Sequence, residues 1–154
     1  MVGSVVLAED SLEQCFFFER ALKEVAPETV FAVVNDGDKL ITLLESYLPD
    51  LLFLDLSMPC KNGVECIKEI REQRAYDSMP IIVFSVSADD HAIQAAFGYG
   101  ANMYMVKPGE YLLLKSILED ILSMDWSDPE SVTAKYFCKN KYVPYNNNYL
   151  KYRA

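Results

Sequence analysis

The sequence predicts an α/β fold, a doubly wound parallel sheet of five βα units followed by a C-terminal extension. Short apolar blocks alternate with stretches of helical period along most of the chain, the pattern of a parallel sheet covered by helices on both faces. Several blocks are apolar without a break, Leu51 to Leu54 among them, as strands buried on both sides must be. Capping residues and prolines fall where one pattern gives way to the other.

In chain order, strands are expected at Ser4 to Ala8, Val30 to Val34, Leu51 to Leu54, Ile81 to Ser85 and Asn102 to Val106. Between them Leu12, Cys15, Phe18, Leu22 and Val25 recur at helical spacing, as do Leu40, Leu43, Leu44, Tyr47 and Leu48. Val64, Ile67 and Ile70 mark a third helix, and Leu114, Ile117, Leu118, Ile121 and Leu122 form the core stripe of the last. Ser11, Asp36 and Asp89 are candidate N-caps, while Pro27, Pro49 and Pro80 close helix-to-strand connections.

The 154 residues, 51% of them hydrophobic, suit one globular domain with a modest surplus. No apolar block approaches the roughly 20 residues of a membrane-spanning helix, and no basic segment precedes a long apolar core at the N-terminus. A cytoplasmic location without membrane association is therefore expected. The net charge of -9 argues against nucleic acid as a partner, because duplex affinity rests largely on Lys and Arg neutralising phosphates. The charge is unevenly spread. Residues 1–124 carry 9 basic and 20 acidic side chains, and residues 125–154 carry 5 and 3. Cys15, Cys60, Cys66 and Cys138 form no CxxC pair and His91 is the single histidine, so a zinc site is not expected and the thiols are read as reduced.

In the flavodoxin-like strand order 2-1-3-4-5, a ligand site lies beyond the carboxyl ends of the strands, between the first and third. Glu9 and Asp10 end strand one, Asp55 ends strand three, Ser85 ends strand four, and Lys107 and Pro108 follow strand five. Carboxylates about 4 Å apart repel by about 4 kcal/mol per pair at an effective dielectric of about 20. A hard divalent cation relieves that repulsion, and Mg²⁺ favours one or two carboxylates together with waters and phosphate oxygens.

Four stretches, VVLAEDS at 5–11, LLFLDLSMPCKNG at 51–63, PIIVFS at 80–85 and GANMYMVKP at 100–108, occur in this order at βα spacing. Over about residues 2–124 the sequence thereby resembles the receiver domains of two-component response regulators, of the chemotaxis-regulator type. The resemblance implies that Asp55 accepts a phosphoryl group from a phosphohistidine on a histidine kinase or phosphotransfer protein. Asp10 matches the main metal-ligating carboxylate, with Glu9 beside it, and Ser57 matches the position whose carbonyl joins Asp55 on Mg²⁺. Lys107 matches the lysine that pairs with phosphoryl oxygens, Ser85 the hydroxyl that turns toward them, and Tyr104 the aromatic switch that follows. The implied function is a phosphorelay switch acting through contact with a downstream protein, not an enzyme.

Val86 stands where the family usually has Ala or Gly, and Gly109 where Phe is common; a branched residue at 86 would narrow access to the phosphoryl site. A pseudo-receiver acting as a constitutive interaction module is the alternative reading, against which the complete set Glu9, Asp10, Asp55 and Lys107 speaks. A haloacid-dehalogenase-like phosphatase is disfavoured by Ser57 in place of a second aspartate, and a dinucleotide binder by the lack of a Gly-rich loop after strand one. His91 and Cys60 are expected to carry no function.

Residues 1–124 are thus read as the receiver and residues 125–154 as a Tyr-rich tail without an output domain, since 30 residues are too few for a DNA-binding effector. That tail holds Trp126, Phe137 and Tyr136, Tyr142, Tyr145, Tyr149 and Tyr152. Its composition suits either disorder or an arm docked on its own body or on the other copy of a homodimer.

Overall fold

The computed structural model describes residues 1–145; the expectations for Asn146 to Asn148, Tyr149 and Tyr152 lie outside the described residues. Strands β1 (Ser4–Ala8), β2 (Val30–Val34), β3 (Leu51–Leu54), β4 (Ile81–Ser85) and β5 (Met103–Val106) form one parallel sheet in the order β2-β1-β3-β4-β5. Four of the strands match the expected bounds. The fifth begins one residue later, because Asn102 meets Ile81 of β4 with its side-chain oxygen in place of a backbone carbonyl, while its own N–H donates to Ile81 O. Its Oδ1 accepts from Ile81 N and Arg71 Nη2, and its Nδ2 donates to Thr133 Oγ1.

Helices α1 (Leu12–Val25) and α5 (Tyr111–Leu122) pack together, while α2 (Gly37–Ser46), α3 (Gly63–Arg71) and α4 (Asp90–Tyr99) follow one another as neighbours. Ser11, Asp36, Asn62 and Asp89 cap α1 to α4, each side chain accepting a backbone N–H three residues on. Phe18 anchors α1 to the sheet, its ring meeting Phe53 edge-on at 4.9 Å and Phe84 at 5.6 Å between centroids. Two stripe residues leave the core. Leu12 is 87% exposed because it opens α1, and Leu48 is exposed because α2 has already ended at Ser46.

Beyond α5, helix α6 (Pro129–Ala134) leads into a hairpin of β6 (Phe137–Cys138) and β7 (Lys141–Tyr142). Lys139 and Asn140, at φ 52° and 65°, make its two-residue turn in the left-handed conformation that tight hairpins require. Tyr145 then runs beside β5, forming a parallel bridge with Met105. Residues 125–145 are therefore folded against the body.

Candidate functional site

The sheet order reverses at β1, which pairs with β2 on one side and β3 on the other, so the polar residues ending β1 and β3 share one crevice. Asp55 N donates to Ala8 O at 3.0 Å, extending the β1–β3 pairing by one rung and holding the aspartate beside the acidic pair. The carboxylates of Glu9, Asp10 and Asp55 each present an oxygen, all within 4.8 Å of one another. Glu9 and Asp55 are buried, whereas Asp10 is exposed.

Lys107 reaches into this group from the end of β5. Its backbone N–H donates to Ser85 O at 2.7 Å, and its side chain runs past the Phe84 ring at 5.2 Å. Its ammonium lies 2.5 Å from Glu9 Oε2 and 3.2 Å from Asp55 Oδ2. Burial pushes the Glu9 carboxyl above its ordinary range, while the bonds from Lys107 and from Ser11 N pull it back, and burial wins. Desolvation therefore opposes the ionised form of Glu9, and one ammonium is set against the three carboxyl groups gathered here.

The remaining residues complete the rim. Ser57 N donates to Asp55 Oδ1 at 3.1 Å, folding the loop after β3 back on the aspartate. Gly63 keeps that loop close: a Cβ there would meet Asp55 O at 2.5 Å and Leu56 Cα at 2.7 Å. Ser85 is buried, and its hydroxyl accepts from Ser87 N at 3.2 Å. Tyr104 is completely buried and donates its hydroxyl to Ser87 O at 2.8 Å. An open cleft lined by Asp10, Ser57, Met58, Pro59 and Asn62 faces the carboxylates from one side. A second opening, lined by Phe84, Val86, Lys107 and Tyr111, lies on the lysine side, where Val86 is 72% exposed.

The structure thus brings Glu9, Asp10, Asp55 and Lys107 together, with Ser57 on the loop after β3, Ser85 at the end of β4 and Tyr104 within β5. His91 sits exposed at the start of α4, and Cys60 is exposed with φ 68°. Two features were not anticipated. Lys107 lies closer to Glu9 than to Asp55, and the arm bonds to Tyr104 from the far side, Tyr145 N donating to Tyr104 O at 2.7 Å. The sequence signal for the second is the position of β5 as the last strand of an open sheet, which leaves an edge to be covered.

Hard oxygen donors at this separation suit Mg²⁺, and softer thiol or imidazole ligands are absent from the cluster among the described residues. No helix among the described residues is long and apolar enough to cross a membrane.

A family model for the response regulator receiver domain matches residues 5–119. The chain is 39% identical over 92 residues to the nitrate/nitrite response regulator protein NarL of Escherichia coli, covering 59% of this chain and 42% of that protein. It is 38% identical over 72 residues to a chemotaxis protein CheY homolog of Campylobacter jejuni, covering 47% of this chain and 55% of the other. The matched segment thus spans about half the length of these curated relatives. Among solved structures, the phosphorylated cyanobacterial phytochrome response regulator RcpA superposes with a TM-score of 0.73 at 25% identity, covering 79% of this chain and 91% of RcpA.

Proposed function

Since the chain belongs to the response regulator receiver domain family of two-component signalling, we propose that Asp55 is its phosphoacceptor and that the protein is a phosphorylation-dependent switch. The observation that carries this reading is Lys107, whose ammonium touches both Glu9 and Asp55 at the strand-order reversal. An Asp55 oxygen attacks the phosphorus of a phosphohistidine on a partner kinase or phosphotransfer protein. The new O–P bond makes an acyl phosphate as the P–N bond breaks, and the imidazole nitrogen keeps the electron pair.

Such a transfer needs a positioned nucleophile and positive charge over the equatorial oxygens more than it needs covalent help. Ser57 N–H orients the Asp55 carboxylate through Oδ1, leaving Oδ2 on the Lys107 side. Glu9, Asp10 and Asp55, with the Ser57 carbonyl, would hold Mg²⁺, which when bound supplies further charge neutralisation. The phosphoryl group adds negative charge and strong acceptor oxygens. Ser85 donates to them, and the loop after β4 and Tyr104 settle accordingly.

Residues 1–124 act as the receiver and residues 125–154 as a Tyr-rich tail whose described part, 125–145, is an arm, with signalling through protein contact in the cytoplasm without nucleic acid. Incubation with acetyl phosphate tests the reading. Mass spectrometry should show one added phosphoryl group that requires Mg²⁺ and is lost in Asp55→Ala; no such addition, where a control receiver gains it, overturns the assignment.

A further inference from the structure

β5 is an edge strand, yet Met103, Tyr104 and Met105 are fully buried, whereas the opposite edge, β2, leaves Val30 60% exposed. Unpaired strand edges are ordinarily blunted or covered, and the cover here is the chain's own arm. Tyr145 adds to the edge as a strand would, through its N–H on Tyr104 O and its bridge to Met105. On α4, Gln94 grips the backbone of Tyr142 with both ends of its amide: Nε2 donates to the carbonyl at 2.7 Å and Oε1 accepts from the N–H at 3.0 Å. The Tyr142 ring stacks on Phe97 with centroids 4.4 Å apart and 6° between the planes. On α5, Asp120 Oδ2 accepts from the Tyr145 hydroxyl at 2.8 Å.

A line of hydrogen bonds leads from this seat to the phosphoacceptor end of the sheet. Tyr104 accepts from the arm on its backbone oxygen and donates its hydroxyl to Ser87 O, and Ser87 N donates to Ser85 Oγ. Ser85 is thereby used as an acceptor, which leaves its own proton able to donate to a phosphoryl oxygen. An outward swing of Tyr104 would need space between α4 and α5, and the arm, anchored on Gln94 and Asp120, spans that gap. Were Tyr104 to leave, the Ser87 carbonyl would lose its donor and the loop that orients Ser85 would loosen.

The geometry points to a positioning role for the arm: residues Tyr142 to Tyr145 hold Tyr104 inward and so favour the arrangement of Ser85 and Ser87 that receives a phosphoryl group on Asp55. This rests on the reading of Asp55 as phosphoacceptor. Linkage makes the effect reciprocal. Arm docking strengthens binding of a phosphoryl mimic, and the mimic strengthens arm docking by the same factor. A tail released on phosphorylation would show the opposite sign.

The test uses the full chain with beryllofluoride and Mg²⁺. In the unsubstituted protein, the mimic should slow amide hydrogen exchange at Tyr142 to Tyr145 by about 5-fold or more, and Gln94→Ala should weaken beryllofluoride binding by a similar factor. In a Tyr104→Phe background the Gln94→Ala effect should vanish, a result that general loss of stability would not produce. Should Gln94→Ala fail to fold, Gln94→Glu keeps the acceptor, loses the donor and should give a smaller loss of affinity. Unchanged or tighter binding in the Gln94 variants, or faster exchange in the arm with the mimic bound, overturns the positioning role while leaving the phosphoacceptor intact. Failure of beryllofluoride to bind and of acetyl phosphate to label the unsubstituted protein overturns both.

Discussion

The Lys107 ammonium lies 2.5 Å from Glu9 Oε2, nearer than its 3.2 Å approach to Asp55. Both side chains of the closer pair are almost wholly buried, so each depends on the other for compensation. Removing one partner of a buried pair strands the other, at a cost of about 3 kcal/mol. Lys107→Ala should therefore lower stability by about that amount at pH 7.5 without Mg²⁺, measured by urea denaturation. Burial already holds the Glu9 carboxyl above its ordinary range. Its ionised form therefore costs stability; that cost begins to fall as pH drops through the raised value and is gone only below the ordinary 4.5, so the deficit of the variant should shrink as pH is lowered toward that value.

Asp10 differs from its two neighbours in being exposed. Loss of its charge should leave the fold within about 0.5 kcal/mol of the original. Ligand charge sets affinity for a hard cation, so Asp10→Asn should weaken Mg²⁺ binding by about 10-fold or more. Calorimetric titration beside a thermal melt separates the two effects, and equal Mg²⁺ affinity would remove Asp10 from the site.

Gly63 has no room for a side chain, since the nearest atoms to a Cβ would be the backbone of Asp55 and Leu56. Overpacking against backbone costs about 2 kcal/mol. Gly63→Ala should show that loss in its urea midpoint together with slower acetyl phosphate labelling, because the displaced backbone carries Asp55, the proposed phosphoacceptor.

Burial pushes the Cys66 thiol up to about 12 from its ordinary 9.0. At pH 8 iodoacetamide should modify exposed Cys60 well before Cys66. Above pH 9 the unfolded thiol ionises while the folded one keeps its proton. Stability should accordingly fall with rising pH by about 1.4 kcal/mol per unit from this group, up to about pH 12. Cys66→Ala should flatten that slope in alkaline denaturation curves.

The strand ends carrying Glu9, Asp55 and Ser85 were legible because they are set by local signals. A continuous apolar run marks each strand, and the polar residue that ends it must lie at the sheet's carboxyl edge. The caps Ser11, Asp36 and Asp89 were legible for the same reason, each bonding only three residues onward. Bounds blurred where distant groups intervened, as at Asn102, whose amide serves Arg71 and Thr133, each 31 residues away.

The sequence by itself determined the five βα units, the order of their polar ends and the acidic character of the crevice, all of which follow from hydrophobic period and chain punctuation. Tertiary structure alone decided which carboxylate Lys107 approaches more closely, why an edge strand is buried, and that Tyr142, 48 residues beyond Gln94, is gripped by its amide. Those outcomes depend on which surfaces remain unpaired once the sheet has formed, and no local pattern of residues encodes that.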